Sequence, residues 1–288
     1  MGLNTSWRFI IFSNLLIAMA AASQSLLTYH LLHIPFNLYI ILLEWSATLL
    51  LYNFSMWLSM PKMQNNSPYL RTSWYFENRL IFMFLSLFAL VIFIFSLLQL
   101  HSYTFLYLIF IGILSFGYAL PIIKVNGKAM SFRQMAGVKV FLIALVWSLS
   151  TVGMPTVEYF STGGIVEWAY VGYWGLLVFL FILAITIPFD IRDLKQDKYY
   201  NLQTIPVILG GARAKLLCYS LLFLHTMLVI VLFGITQPAI WTLIFTDIVV
   251  FIVLYKIIFR PRANYQQVYI LDLILIIQFL QYYIIADL

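Results

Sequence analysis

The chain has 288 residues, of which 64% are hydrophobic and 9% charged, with a formal net charge of +6. Soluble domains run about 45–50% apolar and about 25% charged, so a single water-exposed globular core is excluded. One cysteine, Cys218, rules out an intramolecular disulfide and a thiolate cluster, and the scattered histidines (His30, His33, His101, His225) rule out zinc-finger spacing.

Crossing a bilayer takes about 20 apolar residues in a helix. In chain order the sequence offers nine such stretches, at roughly 8–30, 36–58, 79–99, 103–123, 134–153, 168–189, 214–234, 239–259 and 267–286. Stretches such as Leu80 to Phe95 are apolar on every side, unlike the alternating strands of a β-barrel. The predicted fold is therefore an all-α membrane protein, nine transmembrane helices in one polytopic domain over residues 1–288. The first stretch reads two ways. Arg8, an apolar run and Ala20-Ala21-Ala22-Ser23 resemble a signal peptide, whereas apolar sequence continuing through Leu32 favours an uncleaved span. The two longest polar inserts, 59–78 and 190–213, follow the second and sixth spans.

With nine spans, every basic residue falls on one side: Arg8; Lys62, Arg71 and Arg79; Lys124, Lys128, Arg133 and Lys139; Arg192, Lys195, Lys198, Arg213 and Lys215; and Lys256, Arg260 and Arg262. The opposite loops, near 31–35, 100–102, 154–167 and 235–238, hold none. Positive charge is retained in the cytoplasm, so the N-terminus is expected inside and the C-terminus outside, with a bacterial inner membrane as the expected location. The basic face suits anionic lipid, and no nucleic-acid partner is expected.

One segment is chemically dense. Residues 188–210 carry Asp190, Asp193 and Asp197 at i, i+3 and i+7, within about 80° of one another on a helix. Three carboxylates that close repel unless a cation joins them, and hard oxygen ligands favour Mg²⁺ or Ca²⁺. The alternative is a solvated helix end whose acids pair with Arg192, Lys195 and Lys198.

The same segment resembles the second aspartate-rich motif of the UbiA superfamily of intramembrane prenyltransferases, Asp-x-x-Asp-x-x-x-Asp-Lys/Arg followed by Gly and Thr-Leu-Pro-x-x-x-Gly. Asp190, Asp193, Asp197, Lys198, Thr204, Pro206 and Gly210 fall in register, with Asn201 where Gly is usual. Tyr118, Pro121 and Lys124 are similar to the family's Tyr-x-x-Pro-x-x-Lys segment. The first motif, Asn-Asp-x-x-Asp-x-x-x-Asp at the cytoplasmic end of the second span, is degenerate: Asn53 is present, but the aspartate positions hold Phe54, Trp57 and Pro61. The resemblance implies a prenyl diphosphate and a lipophilic, aromatic acceptor as substrates. It further implies Mg²⁺ on Asp190, Asp193 and Asp197, and diphosphate contacts from Asn53, Lys124, Arg133, Lys139 and Lys198, with Lys139 about five residues inside its span. Arg71 and Arg79 are further candidates for the diphosphate, and Glu77 for a substitute carboxylate.

Three acids lie deeper, Glu44, Asp247 and Asp272. They read as structural, Glu44 sharing a proton or hydrogen bond with Asp247 and Asp272 paired with Lys256; a proton-coupled transporter would also use such residues. His225 reads as a hydrogen-bonded packing residue. A diverged protein of the same fold, binding or cyclising an isoprenoid lipid without transfer, is the alternative that the degenerate first motif supports.

Overall fold

The computed structural model describes residues 5–58, 70–120, 123–125, 128–130, 137–199, 202–234, 237–260 and 265–286. Among the described residues, seven helical segments are long and apolar enough to cross a membrane, and a bent pair adds an eighth. In place of the remaining expected span stands a shorter apolar helix, Ser102–Gly117, so the count of nine is not reached by length.

The bent pair is α1 (Thr5–Phe12) and α2 (Leu15–Leu31), which meet at 67°. The break falls at Asn14, whose φ of 66° is left-handed, a conformation asparagine tolerates better than the apolar residues around it. The first span is thus two helices rather than the single one expected. Next come α3 (Leu38–Leu58), begun by the Asn37 side chain accepting the Tyr39 N–H at 2.9 Å, then α4 (Leu70–Glu77), α5 (Arg79–Leu97) and α6 (Ser102–Ala119). A short antiparallel hairpin follows, β1 (Ile123–Val125) against β2 (Lys128–Met130), with Lys124 opposite Ala129. The intervening Asn126-Gly127 is a strong hairpin signal in the sequence, and the helix of the expected fourth span, 103–123, ends at Ala119.

α7 (Val138–Ser148), a π-helical turn at Leu149–Gly153 and α8 (Met154–Ser161) run on as one 24-residue span. Residues 154–161, expected in an outer loop, are therefore helical. The wide turn stands directly before Pro155, whose missing N–H leaves one rung of the ladder unmade. α9 (Trp168–Tyr199) is 32 residues, about 48 Å, so it outruns a bilayer core of about 30 Å and carries the acidic segment on its final turns. After α10 (Ile205–Leu209) come α11 (Gly211–Phe233), α12 (Pro238–Val253) with a π-helical extension at Leu254–Ile258, a 3₁₀ turn at Tyr265–Tyr269, and α13 (Ile270–Ala286).

α9 is the central helix. It packs on α7 and α11, and its run from Leu180 to Ile185 is buried on every face. α5 packs on α3 and is peripheral, only 17% of its apolar window being buried, which suits contact with lipid tails. Polar pairs tie the spans where apolar contact gives no selectivity against lipid. The Gln24 amide donates to Gln278 at 3.0 Å between α2 and α13, and the Trp174 indole donates to Thr28 at 3.0 Å between α9 and α2.

Candidate functional site

The last turns of α9 present the acidic segment, which begins two residues beyond Pro188. Asp190 is buried, and one of its oxygens accepts the Lys139 ammonium from the first turn of α7. Lys139 reaches it because α7 begins at Val138, not several residues earlier; Gly137, at φ 70°, makes the left-handed entry, and its N–H bonds the Gln203 carbonyl at 2.8 Å. That bond lays the start of α7 against the chain leaving α9, where the Leu202 N–H returns to the Asp197 carbonyl at 2.8 Å. Asp197 and Thr204 are thereby buried in the same place.

Among the described residues, Oδ2 of Asp190, Oδ2 of Asp197 and the Thr204 hydroxyl are buried without a hydrogen-bond partner. The Thr204 hydroxyl faces Asp197 closely enough to favour its charged form, yet makes no well-aligned bond to it. Burial nevertheless dominates and pushes the Asp197 carboxyl above its ordinary range; Lys139 pulls it down, and Asp190 and Asp193 add to the rise. Unsatisfied buried oxygens are rare because each forfeits its hydration. Two carboxylates and a hydroxyl of this kind fit a hard divalent cation.

Asp193 differs. Both its oxygens are taken by Arg192, Nε at 2.9 Å and Nη2 at 2.8 Å. The expected set of three metal-binding carboxylates is therefore not assembled, and among the described residues no group of three or more His, Cys, Asp or Glu is arranged to hold a metal ion. Of the pairings with Arg192, Lys195 and Lys198 that the sequence allowed, the one between Arg192 and Asp193 is realised.

Asn53 belongs to a neighbouring polar chain. Its carbonyl oxygen accepts the Asn14 amide at 2.7 Å, and its own amide donates to Ser86 at 3.0 Å. Arg71 donates to the Asn14 carbonyl and, at 3.3 Å, to the Tyr269 hydroxyl. Arg192 lies over the Phe189 and Tyr269 rings at 5.2 and 5.3 Å. Arg71 and Arg192 are the cations acting on buried Asp272, so the expected partner Lys256, which is exposed over the Tyr255 ring, is replaced. This chain joins α2, α3, α4, α5, α9 and the start of α13. Asn14, which joins these candidates together, is marked in the sequence only as a polar residue within an apolar run.

Lys198 is exposed on the last turn of α9, and Glu77 is exposed at the end of α4. Lys124 lies on β1 with its side chain outside the described residues; Arg133 and Pro61 lie outside them altogether. Phe54 and Trp57 stack at 6.0 Å, and Phe54 meets Phe116 edge-on at 5.8 Å, so these first-motif positions form an aromatic cluster.

The deep acids are all partnered. Glu44 accepts the Ser150 hydroxyl at 2.9 Å from the π-helical turn, so its expected link to Asp247 is absent. Asp247 instead holds His225 Nδ1 at 2.8 Å and the Thr226 hydroxyl at 2.6 Å, which makes His225 the hydrogen-bonded packing residue expected. A fourth pair escaped the sequence: buried Glu158 receives His101 Nδ1 at 2.8 Å and the His101 N–H at 3.3 Å, joining α8 to the start of α6.

No protein-family model matches the chain, and no curated protein matches it either. Solved structures do. A UbiA homologue from Aeropyrum pernix K1 superposes with a TM-score of 0.68 at 15% identity, covering 94% of this chain and 98% of that one. A UbiA homologue from Archaeoglobus fulgidus bound to DMAPP and Mg²⁺ gives 0.62 at 14% identity over 98% and 100% of the two chains. The same homologue bound to GPP and Mg²⁺ gives 0.59 at 14%, over 98% of each. Sequence identity this low speaks for fold alone, and along nearly its whole length this chain has the fold of the UbiA homologues.

Proposed function

We propose that the protein is a UbiA-type intramembrane prenyltransferase, moving an isoprenoid chain from a prenyl diphosphate to a lipophilic, aromatic acceptor with Mg²⁺. The observation that carries this reading is the pair of buried carboxylates, Asp190 and Asp197, with unpartnered oxygens beside Lys139 on the end of the central apolar helix. The bound DMAPP, GPP and Mg²⁺ in archaeal structures of the same fold support it.

Asp190 and Asp197 would hold the cation, with Thr204 as a neutral oxygen beside them and Asp193 available if Arg192 turned away. Mg²⁺ held there would supply Lewis-acid charge to a leaving diphosphate. Lys139 and Lys198, with Lys124 and Arg133, would bind the diphosphate and stabilise the negative charge that grows as the carbon–oxygen bond breaks. The apolar helices would exclude water from the allylic cation until the acceptor captures it. Asn53 would act by orienting Asn14 and Arg71, since its own oxygen is already engaged. The site would face the cytoplasm, with the N-terminus inside and the C-terminus outside.

Asp190→Ala and Asp197→Ala are each expected to reduce pyrophosphate release from a prenyl diphosphate at least about a hundredfold, since each removes charge from the transition state. Full activity in both variants would refute the assignment. The aromatic cluster of Phe54, Trp57 and Phe116 in place of first-motif acids favours a second reading, a protein of this fold that binds an isoprenoid lipid without transfer. Prenyl diphosphate binding unaffected by chelator, with no product formed, would select it.

A further inference from the structure

Other acids have partners of their own: Asp247 has His225 and Thr226, Glu158 has His101, Glu44 has Ser150, and half-buried Asp193 has Arg192 Nε and Nη2. Among the described residues, Lys139 is the cation that acts on both Asp190 and Asp197. Lys139 bonds one Asp190 oxygen and acts electrostatically on Asp197, while Oδ2 of each acid is unbonded among the described residues. The Lys139 side chain is 15% exposed and that of Asp190 1%, so neither charge is well solvated. We propose that Lys139 is the resident counterion of the Asp190–Asp197 pair, and that a divalent cation and the Lys139–Asp190 contact exclude one another.

The proposal rests on the metal reading above and adds an order of events to it. Two carboxylates carry two negative charges, which one ammonium half balances. A divalent cation balances them alone, and with Lys139 still in place the buried site would hold one uncompensated positive charge, which is unfavourable where solvent screens little. Cation binding therefore requires Lys139 to leave Asp190, or an anion to arrive that Lys139 can join. A diphosphate is such an anion. By linkage, whatever draws Lys139 away from Asp190 tightens the cation, and the cation in turn frees Lys139 for the anion. The cation alone binds weakly, and cation and diphosphate bind cooperatively.

The test needs no turnover. The purified full chain in detergent is titrated with Mn²⁺, free Mn²⁺ being followed by electron paramagnetic resonance, with no diphosphate present. K139Q is expected to bind Mn²⁺ about tenfold tighter than the parent, or to bind where the parent does not, since a repelling charge is removed. K139R, which keeps the charge, should match the parent; K139M, close to lysine in volume, should repeat the K139Q result if the glutamine variant folds poorly. Parent binding that K139Q and K139M leave equal or weaken would overturn the counterion role and spare the metal site. Absence of Mn²⁺ binding in the parent and in both neutral variants would overturn both.

Discussion

Three aspartates of one segment have different fates because their partners come from different places. Asp193 is held by the residue next to it in the chain, Asp190 by a lysine 51 residues earlier, and Asp197 by burial under a returning loop. Helical spacing aligned all three and could not see any of this. Asp197 gives the pH dependence. Its carboxyl is raised by burial, so its protonated form is favoured on folding; that contribution is complete below the unfolded value near 3.8 and is lost as pH rises through the folded one. Asp197→Asn is therefore expected to raise the thermal midpoint of the metal-free protein at neutral pH and to have no such effect in strong acid. Thermal unfolding in detergent across pH checks this, and a stabilisation confined to acid would contradict it. Metal affinity should fall as acid protonates the same carboxyl.

At the scale of elements, breaks in the helices place polar groups. The left-handed residue Asn14 turns α1 away from α2 and delivers its amide to Asn53. The π-helical turn at 149–153 carries Ser150 to Glu44, and the Leu149 carbonyl accepts the Tyr107 hydroxyl at 3.0 Å. Gly153 makes that close approach possible, since a Cβ there would stand 2.0 Å from the Tyr107 hydroxyl and 2.7 Å from the ring carbon bearing it. Gly153→Ala must displace Tyr107 and is expected to cost about 1–3 kcal/mol of stability by overpacking. A double variant with Tyr107→Leu should lose much less for the added methyl, and thermal unfolding of the four proteins in a cycle measures the difference. Equal losses in both backgrounds would show that Tyr107 is not what the glycine accommodates.

At the scale of the molecule, putting all sixteen basic residues on one side calls for an odd number of crossings, and the expected consequence is termini on opposite faces. Cys218 is buried, so single cysteines introduced at Ser6 and at Leu288 can be labelled selectively. In inverted membrane vesicles an impermeant thiol reagent is expected to reach the first and not the second. Labelling of both from one side would mean an even count, and would remove the short helix Ser102–Gly117 or another segment from the crossings.

Hydropathy was enough for the helical membrane architecture, because a bilayer imposes the same rule on each spanning segment: about 20 apolar residues and no unpaired backbone. The acidic segment was equally legible, since a motif is a local property of consecutive residues. Span length in the α6 region, the join of α7 to α8, and the bend at Asn14 were not, because each depends on a backbone departure whose stabilising partner sits on another helix. The same holds for the site. Sequence alone nominated Asp190, Asp197 and Lys139 as candidates; only the tertiary structure set Lys139 against Asp190, gave Asp193 to Arg192 and tied Asn53 to Asn14. Charge pairing acts through space over a few ångströms, and which side chains come that close is decided by helix packing rather than by distance along the chain.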